Sequence, residues 1–190
     1  MKIKPKDIVI PTVCLFTICL VMTTILAFVN LNTVDSINQQ TEKKKNESCK
    51  IVLPIAEVFE EKSVNDIKYY LGLNDSKEVV GYVFITKAKG YGGDISVMTG
   101  IKADKNVCGV VILDQNETPG LGTNTVKESF TDQYKQDISL NNFSVVKTSP
   151  KSGEIQAVTG ATISSTAVTD AVNEAVKEFN QVISMPGGAQ

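Results

Sequence analysis

The spacing of hydrophobic positions changes several times along the chain, and each spacing predicts a different kind of element. From Ile8 to Val29 (IVIPTVCLFTICLVMTTILAFV) the run is apolar and carries no charge. At the helical rise it spans about 33 Å, matching the roughly 30 Å hydrocarbon core of a bilayer, so it predicts a transmembrane helix. Pro11 falls near its first turn, where proline is tolerated. Residues 30–48 are rich in Asn, Gln, Lys and Glu and read as a solvated stalk, with a continuation of the helix left open. LPIAEVFEE (53–61) reads as a short amphipathic helix opened by Pro54. EVVGYVFITKAKG (78–90), rich in β-branched and aromatic residues, predicts a strand. DISVMTGIKAD (94–104) and NVCGVVILDQ (106–115) predict a hairpin about Asp104, Lys105 and Asn106. TNTVKESFTDQY (123–134) predicts a helix capped by Thr123 or Asn124, and NNFSVVKT (141–148) a further strand.

The last segment is the most regular. Ala-Val pairs recur at 167/168, 171/172 and 175/176, followed by Phe179 and Ile183. That four-residue period predicts a helix from Ser165 to Ser184 with one apolar stripe, capped by Ser164 or Ser165. The sum is an α+β fold: a cytoplasmic end (1–7), a transmembrane helix (8–29), a stalk (30–48), a domain with an antiparallel sheet and flanking helices (49–185), and a frayed tail (186–190).

Charge orients this arrangement. Lys2, Lys4 and Lys6 precede the apolar run, whereas Asn30, Asn32 and Asp35 follow it. The positive-inside rule puts the N-terminus in the cytoplasm and the domain across the cell membrane, as a single-pass protein in contact with lipid. The run is too long for a signal-peptide core and no A-x-A-like site follows, which favours an uncleaved anchor. The net charge of −2, without a basic patch, excludes nucleic acid as a partner. There is no His, and every one of the 19 positive side chains is a lysine. The commonest general base and the bidentate guanidinium clamp on phosphate are both missing.

Three stretches carry candidate chemistry. AVTGATISSTAV (157–168) crowds small hydroxyl side chains around Gly160 ahead of a helix start. Either the hydroxyls cap that helix, or its free N–H groups and positive dipole end hold an anion such as a phosphate. NETPGLGTNT (116–125) is a rigid loop: Pro119 fixes φ while Gly120 and Gly122 free the backbone around Leu121. It is either a tight turn or a surface on which a flat ligand lies, with Glu117 and Thr123 as polar contacts. KGYGGD (89–94) surrounds Tyr91 with glycines and is either a hairpin connection or a binding loop. A Ser-His-Asp triad is excluded without His, and the S-x-x-K, S-D-N and K-T-G set of Ser-Lys enzymes is not present. Cys14 and Cys19 point to different faces of the membrane helix. Whether Cys49 and Cys108 pair is left open, and no spacing suits a metal.

Taken in order, the Lys-rich end, the membrane helix, GYVFITKAKGYGGDISVMTGI, ETPGLG and TGATISS before a terminal helix resemble the covalent-FMN domain family. That family includes the G subunits of Rnf electron-transport complexes and the longer C subunits of sodium-translocating NADH:quinone oxidoreductases; the length here suits the Rnf branch. The resemblance implies that Thr162, the last residue of the [ST]GAT motif, is esterified to the phosphate of FMN by a separate flavin transferase that uses FAD. It also implies that Thr159, Gly160, Ala161, Ser164 and Ser165 serve the phosphate. Glu117, Thr118, Gly120, Leu121, Gly122, Thr123 and Tyr91 would then lie near the ring. The transferase's preferred pattern has Asp where this chain has Gln156. The implied activity is electron transfer within a multisubunit membrane complex that couples ferredoxin:NAD+ oxidoreduction to Na+ or H+ movement. The subunit is not catalytic alone. A noncatalytic FMN-binding sensor or assembly module is the alternative. No metal or catalytic acid–base residue is required.

Overall fold

The computed structural model describes residues 5–138 and 142–185. They fall into two compact units that meet between Lys44 and Lys45. The first is helical. Helix α1 runs over Pro5–Val52, so the segment expected as a stalk continues the apolar helix, and Pro11 lies in its second turn. Its stretch Val9–Asn30 has a mean hydropathy of 2.5 and none of it is buried by protein. Three threonines inside that stretch are satisfied locally: Thr17, Thr23 and Thr24 donate to the carbonyls of Val13, Cys19 and Leu20 at 2.7–2.8 Å. This is what a helix surrounded by hydrocarbon requires, because no water is there to accept those hydrogens.

The second unit is built on a five-stranded antiparallel meander in the order β1-β2-β3-β4-β5. The strands are β1 (Val58–Val64), β2 (Ile67–Leu73), β3 (Val79–Lys89), β4 (Asp94–Lys102) and β5 (Val107–Asp114). The expected strand at 78–90 and the hairpin about Asp104–Asn106 are both present. The short helix expected over 53–61 is not. Its first half is a turn after α1 and its second half is β1, paired with β2 from Val58↔Leu73 to Val64↔Ile67. Asn65 and Asp66, both at positive φ, make the two-residue turn that matches strand twist in a hairpin. As an edge strand, β1 keeps the charges of Glu60, Glu61 and Lys62, which discourage further pairing.

The two faces of the sheet are covered differently. One face receives helix α3 (Thr162–Ser184), whose stripe of Ala167, Val168, Ala171, Val172, Ala175 and Phe179 is fully or almost fully buried. Phe179 meets Tyr82 and Phe84 edge-on, with ring centroids 5.4 and 6.4 Å apart. Two buried polar bonds fix the helix: Thr86 Oγ1 donates to Ala171 O at 2.7 Å, and the Tyr134 hydroxyl meets Thr169 Oγ1 at 2.7 Å. Burial pushes the Tyr134 phenol well above its ordinary range, so it stays neutral. The other face seats the last turn of α1 and the residues after it, with Cys49, Val52, Leu53 and Ala56 buried against Val83 and Met98. Glycines make the seat possible: a Cβ on Gly109 would lie 2.9 Å from Val52 Cα, and one on Gly81 2.9 Å from Leu53 Cδ1.

Cys49 and Cys108 are free thiols. Burial raises the Cys49 thiol to about 11. Being both enclosed and almost wholly protonated at pH 8, it is expected to resist iodoacetamide in the folded protein and to react once urea exposes it. Peptide mapping of the two samples checks this.

The helix expected over 123–134 is broken. A 3₁₀ turn over Gly122–Val126 is followed by an extended Lys127, a single α-helical turn α2 (Glu128–Thr131) and a second 3₁₀ turn over Asp132–Tyr134. Side chains compete with the helical ladder there: Asn124 Nδ2 donates to Gly120 O at 2.6 Å, and Thr125 Oγ1 to Gly122 O at 2.7 Å. The strand expected over 141–148 is present as β6 (Ser144–Val146), paired in parallel with β7 (Glu154–Gln156). Residue 141 and the tail 186–190 lie outside the described residues.

Candidate functional site

Two turns of the same kind shape the site. In Thr118-Pro119-Gly120-Leu121, the Leu121 N–H donates to Thr118 O at 3.2 Å, with Gly120 at φ +77°. In Val158-Thr159-Gly160-Ala161, the Ala161 N–H donates to Val158 O at 2.9 Å, with Gly160 also at φ +77°. A positive φ at the third position marks a type II turn, and glycine adopts it without strain. The turns touch, since a Cβ on Gly160 would lie 3.2 Å from Leu121 Cδ2. The second turn delivers the chain straight into α3.

Helix α3 begins at Thr162, three residues earlier than its apolar stripe predicts, so Ser164 and Ser165 sit inside its first turn. Neither caps it. The N-cap position is Ala161, and no side chain closes the helix end. The Ser165 hydroxyl accepts from Val158 N–H at 3.0 Å and donates to Ala161 O at 2.9 Å, which pins the preceding turn to the helix. The Ser164 hydroxyl donates to a carboxylate oxygen of Glu117. Thr162 is exposed, and its hydroxyl has no partner among the described residues. The first N–H groups of α3 therefore have no capping side chain and stand beside a free alcohol, at the positive end of a 23-residue helix.

Two adjoining hollows share Gly160 and Thr162 as a common wall. The larger, about 590 Å³, has Tyr91, Leu121 and Ile163 as apolar walls and Glu117, Thr118 and Ser164 as polar ones. Tyr91 is 72% exposed and Ile163 57%, so this hollow has an apolar rim open to solvent. The smaller, about 280 Å³, is lined by Lys147, Ala157, Val158 and Thr159 together with the shared residues. Lys147 is the one cation lining either hollow. An open hollow of about 680 Å³ along α3, near Asp170, Asn173 and Glu174, is lined mainly by polar side chains, with Val176 as its aliphatic residue and no aromatic one.

The three glycine-containing stretches of the sequence thus converge. Tyr91, Glu117, Thr118, Leu121, Gly122, Gly160, Ala161, Thr162 and Ser164 line the larger hollow, and Thr159 lines the smaller. Gly120, Thr123 and Ser165 line neither. Thr123 Oγ1 accepts from Gly120 N–H at 2.9 Å and stabilises the turn from behind. Ile163 and Lys147 are site residues that the motifs do not reveal. Ile163 carries a signal, as an apolar residue on the polar side of the α3 stripe, while Lys147 carries none. Among the described residues no cluster could hold a metal ion.

A free alcohol at an uncapped helix start, beside a shallow apolar hollow, has the shape and polarity that suit a phosphate-bearing planar group. The family model for the FMN-binding domain matches residues 90–177, a span that contains all of these elements. The chain is 35% identical over 170 residues to the G subunit of the proton-translocating ferredoxin:NAD(+) oxidoreductase complex of Clostridium ljungdahlii, covering 90% of this chain and 89% of that one. It is 34% identical over 187 residues to the G subunit of the Na(+)-translocating ferredoxin:NAD(+) oxidoreductase complex of Acetobacterium woodii, covering 88% and 89%. The chain belongs to the family of G subunits of ion-translocating oxidoreductase complexes. Its fold is shared with the C subunit of the Na(+)-translocating NADH-quinone reductase of Parabacteroides distasonis, at a TM-score of 0.54 and 21% identity over 64% of each chain.

Proposed function

We propose that this chain is the flavin-carrying electron-transfer subunit of a membrane complex that couples ferredoxin:NAD+ oxidoreduction to Na+ or H+ translocation, with FMN joined to Thr162 through a phosphoester. The observation that carries the attachment is the start of α3: no side chain caps it, and an exposed threonine hydroxyl stands unpaired at its first position.

The residues present suit such a group. A phosphodiester keeps one negative charge, which the N–H groups and dipole of α3 favour. Lys147 supplies a cation in the adjoining hollow where a chain without arginine offers no guanidinium. Tyr91, Leu121 and Ile163 provide the apolar surface expected around a ring, with Thr118 as a polar neighbour. Thr159 stands on the phosphate side. When bound, the flavin supplies reversible electron-carrying chemistry that no side chain here can provide. The protein contributes the tether, the walls and the placement.

The same reading covers the rest of the chain. The apolar helix serves as an uncleaved anchor in the cell membrane, with the three N-terminal lysines in the cytoplasm and the flavin domain on the far side. Beyond the cytoplasm a noncovalent flavin that dissociated would find no pool to replace it, which gives the ester a purpose. Other membrane subunits of the complex and a flavin transferase are the partners, with lipid around α1. The single apolar stretch carries no ionisable carboxylate or lysine to relay an ion, so translocation belongs to those other subunits.

Peptide mapping of protein purified from its native host tests the attachment. The expected result is one peptide containing Thr162 that carries the mass of an FMN phosphoester and fluoresces after denaturation. Flavin that washes away on unfolding, or that maps to another residue, would overturn the assignment.

A further inference from the structure

Glu117 is the one buried carboxylate at the site, 5% exposed. Burying such a group is unfavourable unless its oxygens find donors, and a residue kept there for packing alone would be apolar. Both oxygens are used. Oε1 accepts from Gly92 N–H at 2.9 Å, and Oε2 accepts from the Ser164 hydroxyl, itself 2% exposed. The surroundings are fitted around it: a Cβ on Gly122 would lie 2.7 Å from both Glu117 Cβ and Oε2, and one on Gly90 would collide with Oε1. Glu117 thereby joins three segments that are distant in sequence: the Tyr91 loop, the Thr118–Leu121 turn and the first turn of α3. Those segments carry the apolar walls of the larger hollow and the attachment residue.

We propose that Glu117 is a positioning residue that locks these segments into one wall and so fixes the orientation of the ring tethered to Thr162. The inference rests on Thr162 being the attachment point. A ligand held through a phosphate and a flexible polyol chain is located by its tether but not oriented by it; orientation has to come from the walls. The Ser164 hydroxyl, which at this position could have served the helix end, is committed to the carboxylate instead. Glutamine can reproduce the bridge without the charge. Its carbonyl accepts from Gly92 N–H while its amide donates to the Ser164 oxygen, which can accept as readily as it donates.

The experiment compares full-length wild type, Glu117→Ala, Glu117→Gln, Ser164→Ala and Thr162→Ala, each expressed beside a flavin transferase. Intact mass reports attachment, visible circular dichroism and fluorescence anisotropy report how firmly the ring is held, and near-ultraviolet circular dichroism reports the fold. Glu117→Ala is expected to carry flavin on Thr162 yet to lose visible circular dichroism several-fold, with anisotropy falling toward that of a freely turning tethered dye. Ser164→Ala, which cuts one arm of the bridge, should fall between it and wild type, and Glu117→Gln should restore wild-type signals. Wild-type ring signals in Glu117→Ala overturn the proposal. So does a Glu117→Gln variant as impaired as the alanine, because charge and not the bridge would then be responsible. Should Glu117→Ala fail to fold, Ser164→Ala decides: unchanged ring signals there refute the bridge. Loss of Thr162 attachment in wild type itself is read separately by mass and overturns the Thr162 assignment, and this inference with it.

Discussion

Thr162→Ala is expected to abolish covalent flavin completely while changing the stability of the domain by no more than about 0.5 kcal/mol. The two halves of that expectation have separate origins. Attachment needs an alcohol at one position, and the neighbouring hydroxyls cannot substitute. Ser164 is turned toward Glu117, Ser165 is shared between Val158 and Ala161, and both are buried. Thr159 is exposed but lies within the Gly160 turn, three residues before Thr162 and outside the helix. Stability, by contrast, has little to lose. The Thr162 side chain is exposed, makes no hydrogen bond among the described residues and caps nothing. Alanine is the better helix former at that place, which offsets the few contacts removed. Intact mass and thermal unfolding of the same samples check both halves. Thr162→Ser should keep the flavin, since it preserves the hydroxyl and removes only a methyl group. A Thr162→Ala protein that still carried one FMN would locate the ester elsewhere and refute the reading.

How much of this is legible without coordinates depends on what kind of force sets each element. The stripe of α3 and the alternating strands β3 to β5 are fixed by burial, and burial writes itself into spacing. The 58–73 hairpin is hidden for the opposite reason. Its first strand is an edge with charged and half-exposed residues, so Glu60, Glu61 and Lys62 break the alternation that a buried strand would show. Its surest signal is Asn65-Asp66, a pair suited to two positive φ values. The preceding Pro54 instead suggests a helix start, although it follows a helix end. In 123–134 the apolar positions Val126, Phe130 and Tyr134 have helical spacing, yet local hydrogen bonds from Asn124 and Thr125 and the extended Lys127 break the run.

At the site, sequence motifs name most of the wall but not the duties within it. Ser164 and Ser165 look like interchangeable caps as letters. In the fold, one is a strut to Glu117 and the other a clasp on the preceding turn, because α3 starts three residues early. That start is set by the Gly160 turn, a backbone feature that periodicity does not encode. The same shift leaves the helix end open beside Thr162, where a phosphate can meet it.

Gly100→Ala is expected to be among the most damaging single-methyl changes in the domain, at about 3 kcal/mol or more, toward the upper end of the range for overpacking a close-fitted interior. Gly100 sits in β4 on the face that receives the end of α1. An added Cβ there would collide with the carbonyl oxygen of Val52 and lie 2.7 Å from its carbonyl carbon. These are backbone atoms, so no rotamer change can relieve the overlap. Relief requires lifting Val52 and Leu53, both fully buried, off the sheet, and with them the contacts to Val83 and Met98. Gly153→Ala provides the contrast. Its φ of +80° makes alanine strained by roughly 1–2 kcal/mol, but nothing lies within 4 Å of the new atom. For a unit of this size each kcal/mol shifts Tm by about 2–4 °C, so Gly100→Ala should melt roughly 6–12 °C below wild type. Gly153→Ala should fall clearly less. Were the two variants to melt together, the glycine seat beneath Val52 could not be what holds the end of the helix to the domain. The ranking separates a steric seat from generic glycine flexibility, because only the seat distinguishes a crowded glycine from an open one of less favourable φ.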